Sequence, residues 1–400
     1  MRVKRDSGRT QVLDSIRNSG PIARIEIAEA TGFSPATVTA ITAEFLQAGL
    51  IVEIPLESPA PVEQKQGQAR RGRPRVLLRL NGAAHVVAGL NVAHRSICVQ
   101  LTDFAGSNIA EFEMPLAQPC MAADTLGHMI LMAVAQSCDR AGIPIQSLSA
   151  IGVGIAGQIN TETGFVHWSP SLKARNVALG PQLQAIAPCP VFIGNDANLV
   201  AKAEHLFGKA QGIDDFLVVT IEHGVGLGIV LGGRLYSGLR GCGAELGHIK
   251  VEFDGAPCQC GQRGCLEAYV GEYAILRAAQ AENDAYDDVQ QVFAAADAGD
   301  AAARKVLARA RHMLATGIAS LLNIFDPQLI ILAGTRSTIA HLYDDALHKA
   351  ITGMAVKVDA PLPPIEPHHW AGALWAKGAA AYAIEGVAQL TIRDLAQSPV

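Results

Sequence analysis

The chain has 400 residues, of which half are hydrophobic and 17% charged, with a formal net charge of −5. The length predicts two or three domains, and a charged fraction below the roughly 25% usual for soluble domains fits a well-buried α/β protein, consistent with an oligomer that has large interfaces. No apolar run reaches the ~18 residues of a membrane helix; residues 216–233 come nearest, and Glu222 and His223 interrupt them. The opening MRVKRDSGRT is basic but has no apolar stretch behind it, so it does not read as a secretory signal. Of eight cysteines, five (Cys98, Cys120, Cys138, Cys189 and Cys242) are scattered without a disulfide framework. The expected location is the cytoplasm, with no membrane partner.

Charge is unevenly distributed. Residues 1–80 carry 12 Lys/Arg against 8 Asp/Glu, and the rest of the chain carries 20 against 29. A basic head on an acidic body is the footprint of a nucleic-acid module joined to something else.

From Arg9 the apolar residues Val12, Leu13 and Ile16 form a helical stripe that ends at Ser19-Gly20-Pro21. A second short helix is expected from about Ala23 to Ala30, with Ile25, Ile27 and Ala28 inward. Thr31-Gly32-Phe33-Ser34 then makes a tight turn, with Ser34 as N-cap and Pro35 at the first helical position. The third helix runs to about Ala48, burying Val38, Ile41, Phe45 and Leu46 and exposing Ser34, Thr37 and Thr39. Helix, glycine turn and helix led by short polar residues is the helix-turn-helix arrangement, although an ordinary three-helix bundle would share the pattern. Gly49–Ile54 and Arg75–Leu80 read as paired strands around a long polar loop ending Ala69-Arg70-Arg71-Gly72-Arg73-Pro74. Such a hairpin is the wing of a winged helix, and Arg71 and Arg73 suit the narrow minor groove of double-stranded operator DNA.

After Asn81 the texture becomes short strands alternating with helices. Val86–Asn91, Ser96–Thr102 and Ile109–Pro115 form one meander, and Phe216–Ile221, Gly226–Leu231 and Arg234–Ser237 a second. Helices over Thr125–Ala141, 301–323 and 372–386 and strands at Ala150–Ile155 and Leu329–Leu332 complete the expected pattern. The duplication predicts two like-built α/β lobes around a cleft. The domain boundaries expected are a head over 1–80, a first lobe over 81–195 completed by the C-terminal helix 372–400, and a second lobe over 196–371.

The stretch GHIKVEFDGAPCQCGQRGCLEAY, from Gly247, places His248, Cys258, Cys260 and Cys265 within eighteen positions. Cys₃His is a closed ligand set for structural zinc, and Pro257, Gly261 and Gly264 permit the sharp turns that converging thiolates need. The bland alternative is a few buried cysteines beside an unrelated histidine, but C-x-C-x₄-C in a glycine-rich loop packs poorly and ligates well. With four protein ligands no position is left for an activating water, so the zinc is expected to be structural.

IGVGIAGQIN (151–160), VFIGNDANLVAKAE (191–204) and the cysteine stretch, in that order, resemble the ROK family of repressors and sugar kinases, whose body has an actin-like ATPase (ribonuclease H-like) fold. A winged helix in front resembles the repressor branch, which includes repressors of xylose, glucose and N-acetylglucosamine utilisation. The resemblance implies that Asn195 and Asp196 match the motif whose carboxylate is the catalytic base in the kinases. It implies that Glu245, His248 and Glu267 complete the contacts to a sugar ring. Carboxylates accept paired hydroxyls and an amide both gives and takes hydrogen bonds; His248 can hold zinc through one ring nitrogen and meet the sugar with the other. Without the resemblance, Asn195-Asp196 would be an ordinary helix cap and Glu245 a surface charge.

The chain departs from the family pattern at four places. Ser171 stands where the kinases carry asparagine, which shortens or removes one sugar contact and leaves room for a ligand other than glucose. In the first phosphate hairpin, Asp-x-Gly-x-Thr becomes Asn91-Val92-Ala93-His94-Arg95. In the second, Gly-Thr-Gly-x-Gly becomes Glu222-His223-Gly224-Val225-Gly226, so that a carboxylate would approach the anion. The third, Gly-Gly-Gly, is Ala333-Gly334-Thr335. Phosphoryl transfer depends on positioning and neutralising the phosphates, so no ATP site and no enzyme activity are expected, and Asp196 becomes a relic of the kinase base. The expectation is a sugar-responsive DNA-binding regulator, a homodimer or homotetramer, most simply a repressor of carbohydrate utilisation. Control by a protein partner and a bifunctional sugar kinase are the alternatives.

Overall fold

The computed structural model describes residues 2–55, 76–356, 359–368 and 374–397. The N-terminal segment forms α1 (Arg2–Ser19), β1 (Ile22–Ala23), α2 (Arg24–Thr31), α3 (Pro35–Gln47), β2 (Ile51–Pro55) and β3 (Val76–Leu80), with strand order β1-β3-β2. α1 begins at Arg2, seven residues before its expected start at Arg9, the polar segment with Gly8 continuing the helix nucleated around Val12, Leu13 and Ile16. Ser34 caps α3 through its Oγ, 3.1 Å from the Thr37 amide, with Pro35 at the first helical position. Gly32, at φ 71°, ends α2 in the left-handed conformation.

Two details differ from the sequence expectation. Ile25 is exposed and only Ile27 and Ala28 of α2 are buried, because β1 pairs with β3 and fixes the rotation at which the helix leaves the sheet. In α3, Val38 and Phe45 are buried as expected, whereas Ile41 and Leu46 are partly covered. The fully buried Thr42 accepts a hydrogen bond from Arg24 Nε at 3.1 Å.

Two five-stranded sheets make the body. The first takes β4 (Val86–Val92), β5 (Ser96–Asp103), β6 (Asn108–Pro115), β7 (Ala150–Ile155) and, after the small hairpin β8 (Gln158–Asn160) and β9 (Phe165–Trp168), β10 (Val191–Asn195), in the order β10-β7-β4-β5-β6. The second takes β11 (Phe216–Ile221), β12 (Val225–Leu231), β13 (Arg234–Leu235), β14 (Leu329–Gly334) and β15 (Ile365–His368), in the order β13-β12-β11-β14-β15. Each is an antiparallel meander extended by two parallel strands, so the duplication read from the sequence is a duplication of topology.

Helices α4 (Ala123–Ala141) and α5 (Leu179–Ile186) pack on the first sheet, and α6 (Asp196–Phe207) follows β10 directly. After β13 come α7 (Glu267–Val270), α8 (Glu272–Glu282), α9 (Val289–Asp297) and α10 (Ala301–Phe325), then α11 (Arg336–Leu342) and α12 (Asp345–Met354). These helices cover the second sheet in one core that includes Cys258, Cys265 and Leu266 of the cysteine loop. The last helix, α13 (Leu374–Gln397), is eleven residues longer than its expected end at 386. Its Ala380, Ala383, Ile384, Val387, Ala388 and Ile392 form one core with Val12, Leu13 and Ile16 of α1 and with Val87 and Ala150 of the first sheet. The N-terminal helices therefore sit on the body through a shared apolar core.

Candidate functional site

The ligand atoms of His248, Cys258, Cys260 and Cys265 all lie within 4.8 Å of one another. Cys258 Sγ is 3.7 Å from His248 Nδ1, and Cys260 Sγ is 3.8 Å from Cys265 Sγ. A tetrahedral ion with arms of about 2.3 Å to sulfur needs edges of roughly 3.8 Å, so the four residues fit a zinc-sized centre. The loop is shaped by its backbone: Cys258 N–H donates to Gln262 O at 2.8 Å and Gly261 N–H to Cys258 O at 3.0 Å. Gly264 adopts φ 71°, and a Cβ there would stand 1.7 Å from Glu252 O, so only glycine fits. Lys250, not singled out from the sequence, brings Nζ to 2.9 Å from Cys265 Sγ. Three thiolates on a divalent ion leave one negative charge, which that ammonium offsets.

Sequence order carries the loop straight into the proposed sugar contacts. His248 turns Nδ1 to the cysteines and Nε2 toward Glu245, 3.9 Å from its Oε2. Glu267 opens α7, accepting from the Val225 amide through Oε2 at 3.3 Å and from Tyr273 Oη through Oε1 at 3.3 Å. Oε1 also lies 3.6 Å from Cys258 Sγ. The carboxylate thus links the cysteine loop to the second hairpin. Asn195 caps α6, its Oδ1 accepting from the Asn198 amide at 3.1 Å while Nδ2 donates to Gly157 O at 3.0 Å. Asp196 follows as the first residue of α6; burial pushes its carboxyl up to about 6, against hydrogen bonds from the backbone amides.

Glu245 senses the other two carboxylates. Glu245 is raised above its ordinary range by desolvation; Glu267 and Asp196 push the same way, while His248 and a hydrogen bond with Gln158 oppose them. A set of acids drawn to one place can accept hydroxyl hydrogen bonds. Ser171 is buried, its amide donating to Ser169 Oγ at 3.2 Å. Tyr273, Gln158 and Lys250 are the residues at this site that sequence reasoning missed. Gln158 and Lys250 lie inside the quoted stretches 151–160 and 247–269, and Tyr273 lies on α8 just beyond the second.

The two hairpins that the sequence resemblance aligns with phosphate-binding segments have the following contacts. Asn91 is buried in β4 with Oδ1 unpartnered among the described residues. His94, in the first hairpin, stacks on His223 of the second, and His223 also meets Tyr273 at 5.3 Å between centroids. Glu222 differs from the expectation that its carboxylate would face an incoming anion. It accepts from Trp375 Nε1 at 2.9 Å, and burial pushes it up to about 7. The indole N–H, from a helix 153 residues away, opposes that rise while it occupies the carboxylate.

At the N-terminal end, Ser34, Thr37 and Thr39 lie on the exposed side of α3. Ser34 Oγ and Thr37 Oγ1 are 2.8 Å apart, and Thr39 Oγ1 donates to Pro35 O at 2.7 Å. Arg71 and Arg73 lie outside the described residues.

Two sheets of identical strand order, a meander hairpin of each meeting the other's, and a carboxylate cluster beside them define a two-lobed α/β body of the actin-like class. The chain belongs to the ROK family, which it matches over residues 89–385. It is 31% identical over 347 residues to the DNA-binding transcriptional dual regulator NagC of Escherichia coli K12, covering 84% of this chain and 82% of that protein. It is likewise 31% identical over 327 residues to the xylose repressor of Bacillus subtilis, covering 80% of each. Among solved structures it resembles a ROK family transcriptional regulator, a homologue of the E. coli MLC protein, with a TM-score of 0.81, 26% identity and full coverage of both chains. A ROK family glucokinase from Streptomyces griseus, solved with glucose and AMPPNP, gives a TM-score of 0.65 at 26% identity and covers 75% of this chain and all of its own. Among the described residues no helix is long and apolar enough to cross a membrane.

Proposed function

We propose that this protein is a cytoplasmic DNA-binding transcriptional regulator whose operator affinity is set by a sugar or sugar derivative, acting as a repressor of carbohydrate-utilisation genes. The observation that carries the reading is the pairing of a helical head and hairpin with a body that keeps the sugar-type carboxylates while its phosphate hairpins are altered. The full-length likeness to a ROK regulator, against three-quarters coverage by the glucokinase, supports it.

In this reading residues 1–80 are a winged helix, 81–195 with the C-terminal helix form one lobe, and 196–371 form the other. Ser34, Thr37 and Thr39 meet base edges in the major groove, and Arg71 and Arg73 enter the minor groove. Asn195, Asp196, Glu245, His248 and Glu267 bind the sugar. His248, Cys258, Cys260 and Cys265 hold a structural zinc, which when bound fixes the loop that carries Glu245 and Glu267. Two heads reading a two-fold operator require at least a dimer. Asn91, His94 and Glu222 take away the phosphate cradle, so the protein is no kinase and Asp196 accepts hydroxyls without transferring anything. The test is operator binding by gel shift with and without D-xylose, D-glucose and N-acetyl-D-glucosamine. A sugar-dependent change supports the reading; a response to a protein partner alone would replace it.

A further inference from the structure

We propose that Lys202 and Glu385, together with Asp14 and Arg17, carry the response of the sugar site to the DNA-binding head. The proposal rests on the function just given and adds the route by which one site reaches the other.

Helix α6 starts at the site, with Asp196 as its first residue. Six residues on, about 9 Å along the helix axis, stands Lys202. Its ammonium pairs with Glu385 of α13, 2.9 Å from Oε1 and 2.7 Å from Oε2. Both of these charges act on Asp14 of α1, whose carboxyl is raised chiefly by burial and further by Glu385, while Arg17 and Lys202 lower it. Arg17 Nη1 donates to Asp14 Oδ1 at 2.7 Å. The Asp14–Arg17 pair of α1 thus lies within electrostatic reach of the Lys202–Glu385 pair, on helices that share one apolar core.

Arg17 marks this seam as one with a second arrangement. Its side chain is 4% exposed, yet Nε and Nη2 have no hydrogen-bond partner among the described residues. Idle N–H groups on a buried guanidinium are costly. Glu385, the other acid within electrostatic reach of Asp14, is the acceptor that a shift of α1 would supply. A small shift of α1 along α13 lets Arg17 share Glu385 with Lys202, and the reverse shift returns Glu385 to Lys202 alone.

The elements between the two sites transmit such a shift because they touch without slack. At Gly378 of α13 a Cβ would stand 2.6 Å from Leu199 O and 3.0 Å from Val200 N of α6, so the two helices cross backbone to backbone. α13 and α1 share one apolar core. On its other side α6 is tied to the second sheet, where buried Glu204 meets His368 Nδ1 of β15 at 2.5 Å. A change at the carboxylates that moves α6 therefore moves Lys202, and close-packed elements switch between discrete positions rather than deform continuously.

The test uses full-length protein and an operator fragment selected with it. Operator affinity is read by fluorescence anisotropy without sugar and with D-xylose, D-glucose or N-acetyl-D-glucosamine in excess; sugar binding is measured separately by calorimetry. The wild-type ratio of operator affinities with and without the active sugar should be about 5-fold or more. Lys202→Met should keep sugar and operator affinities within about twofold of wild type and bring that ratio to within about twofold of one, while Lys202→Arg restores it. Glu385→Gln, which keeps shape, should behave as Lys202→Met does and decides the matter if the methionine variant fails to fold. A wild-type ratio retained in these variants overturns the route while leaving the function intact. A wild type that binds none of the sugars overturns the functional reading, and the route with it.

Discussion

The imidazoles of His94 and His223 lie stacked, 5.2 Å between centroids and 11° between planes, joining the first hairpin of one sheet to that of the other. In the proposed reading the two rings fill the place where backbone amides would have to approach a triphosphate. Incubation with ATP, magnesium and a panel of hexoses, pentoses and aminosugars should release no ADP above background, and ATP should leave calorimetric sugar binding unchanged. Sugar-dependent turnover that disappears in Asp196→Ala would restore the kinase reading.

Elemental analysis of protein purified without chelators should find close to one zinc per chain. Cys260→Ser breaks the ligand set at its exposed corner and should abolish metal retention. Because Cys258 and Cys265 belong to the core of the second sheet, the loss should spread into that core. A destabilisation of about 3 kcal/mol corresponds to a fall in Tm of roughly 6–12 °C.

Thr37→Ala should cost about 1 kcal/mol, or ~5-fold, in specific operator binding and less on random DNA, because base contacts specify while phosphate contacts position. Arg73→Ala should reduce the slope of log affinity against log salt by about 1, most clearly on A·T-rich flanks. Gel shifts at several salt concentrations measure both. If neither variant changes binding, the winged-helix reading is wrong.

Sugar affinity should depend on pH through Asp196, which burial holds at about 6. The ionised form accepts hydroxyls, so binding favours the carboxylate and lowers its pKa. Affinity therefore rises as pH climbs through the window around 6 and levels off above it. Asp196→Asn should flatten the profile and weaken binding roughly 10-fold or more, the scale of a hydrogen bond to a charged group. Glu222, pushed up to about 7 and within electrostatic reach of Asp196, requires Glu222→Gln as the control. Calorimetry between pH 5 and 8 reads the result; a flat wild-type profile would contradict it.

What was legible in the sequence is what short-range geometry writes there. Ser34, Pro35 and the glycine turn fix the start of α3 within a few residues, and the Cys-x-Cys spacing with Gly264 fixes the cysteine loop. Both meanders and their repeated order follow from alternating apolar residues between turns. Partners far apart in sequence leave no such trace. The Glu222–Trp375 hydrogen bond spans 153 positions, and nothing near Glu222 indicates that its carboxyl is taken. The exposure of Ile25 depends on a two-residue strand pairing with β3 more than fifty residues later. The core shared by α1 and α13 joins opposite ends of the chain, so a head that reads as a separate basic module is in fact seated on the C-terminal helix.

The central claim is that a sugar held by the Asp196–Glu245–Glu267 set controls DNA binding, and operator affinity measured by anisotropy across the sugar panel tests it most directly. The account predicts that one sugar changes wild-type affinity by about 5- to 150-fold, and that Asp196→Asn and Glu245→Gln bind operator normally but no longer respond. Operator affinity that stays the same with every sugar, or a response that survives in both variants, would contradict it.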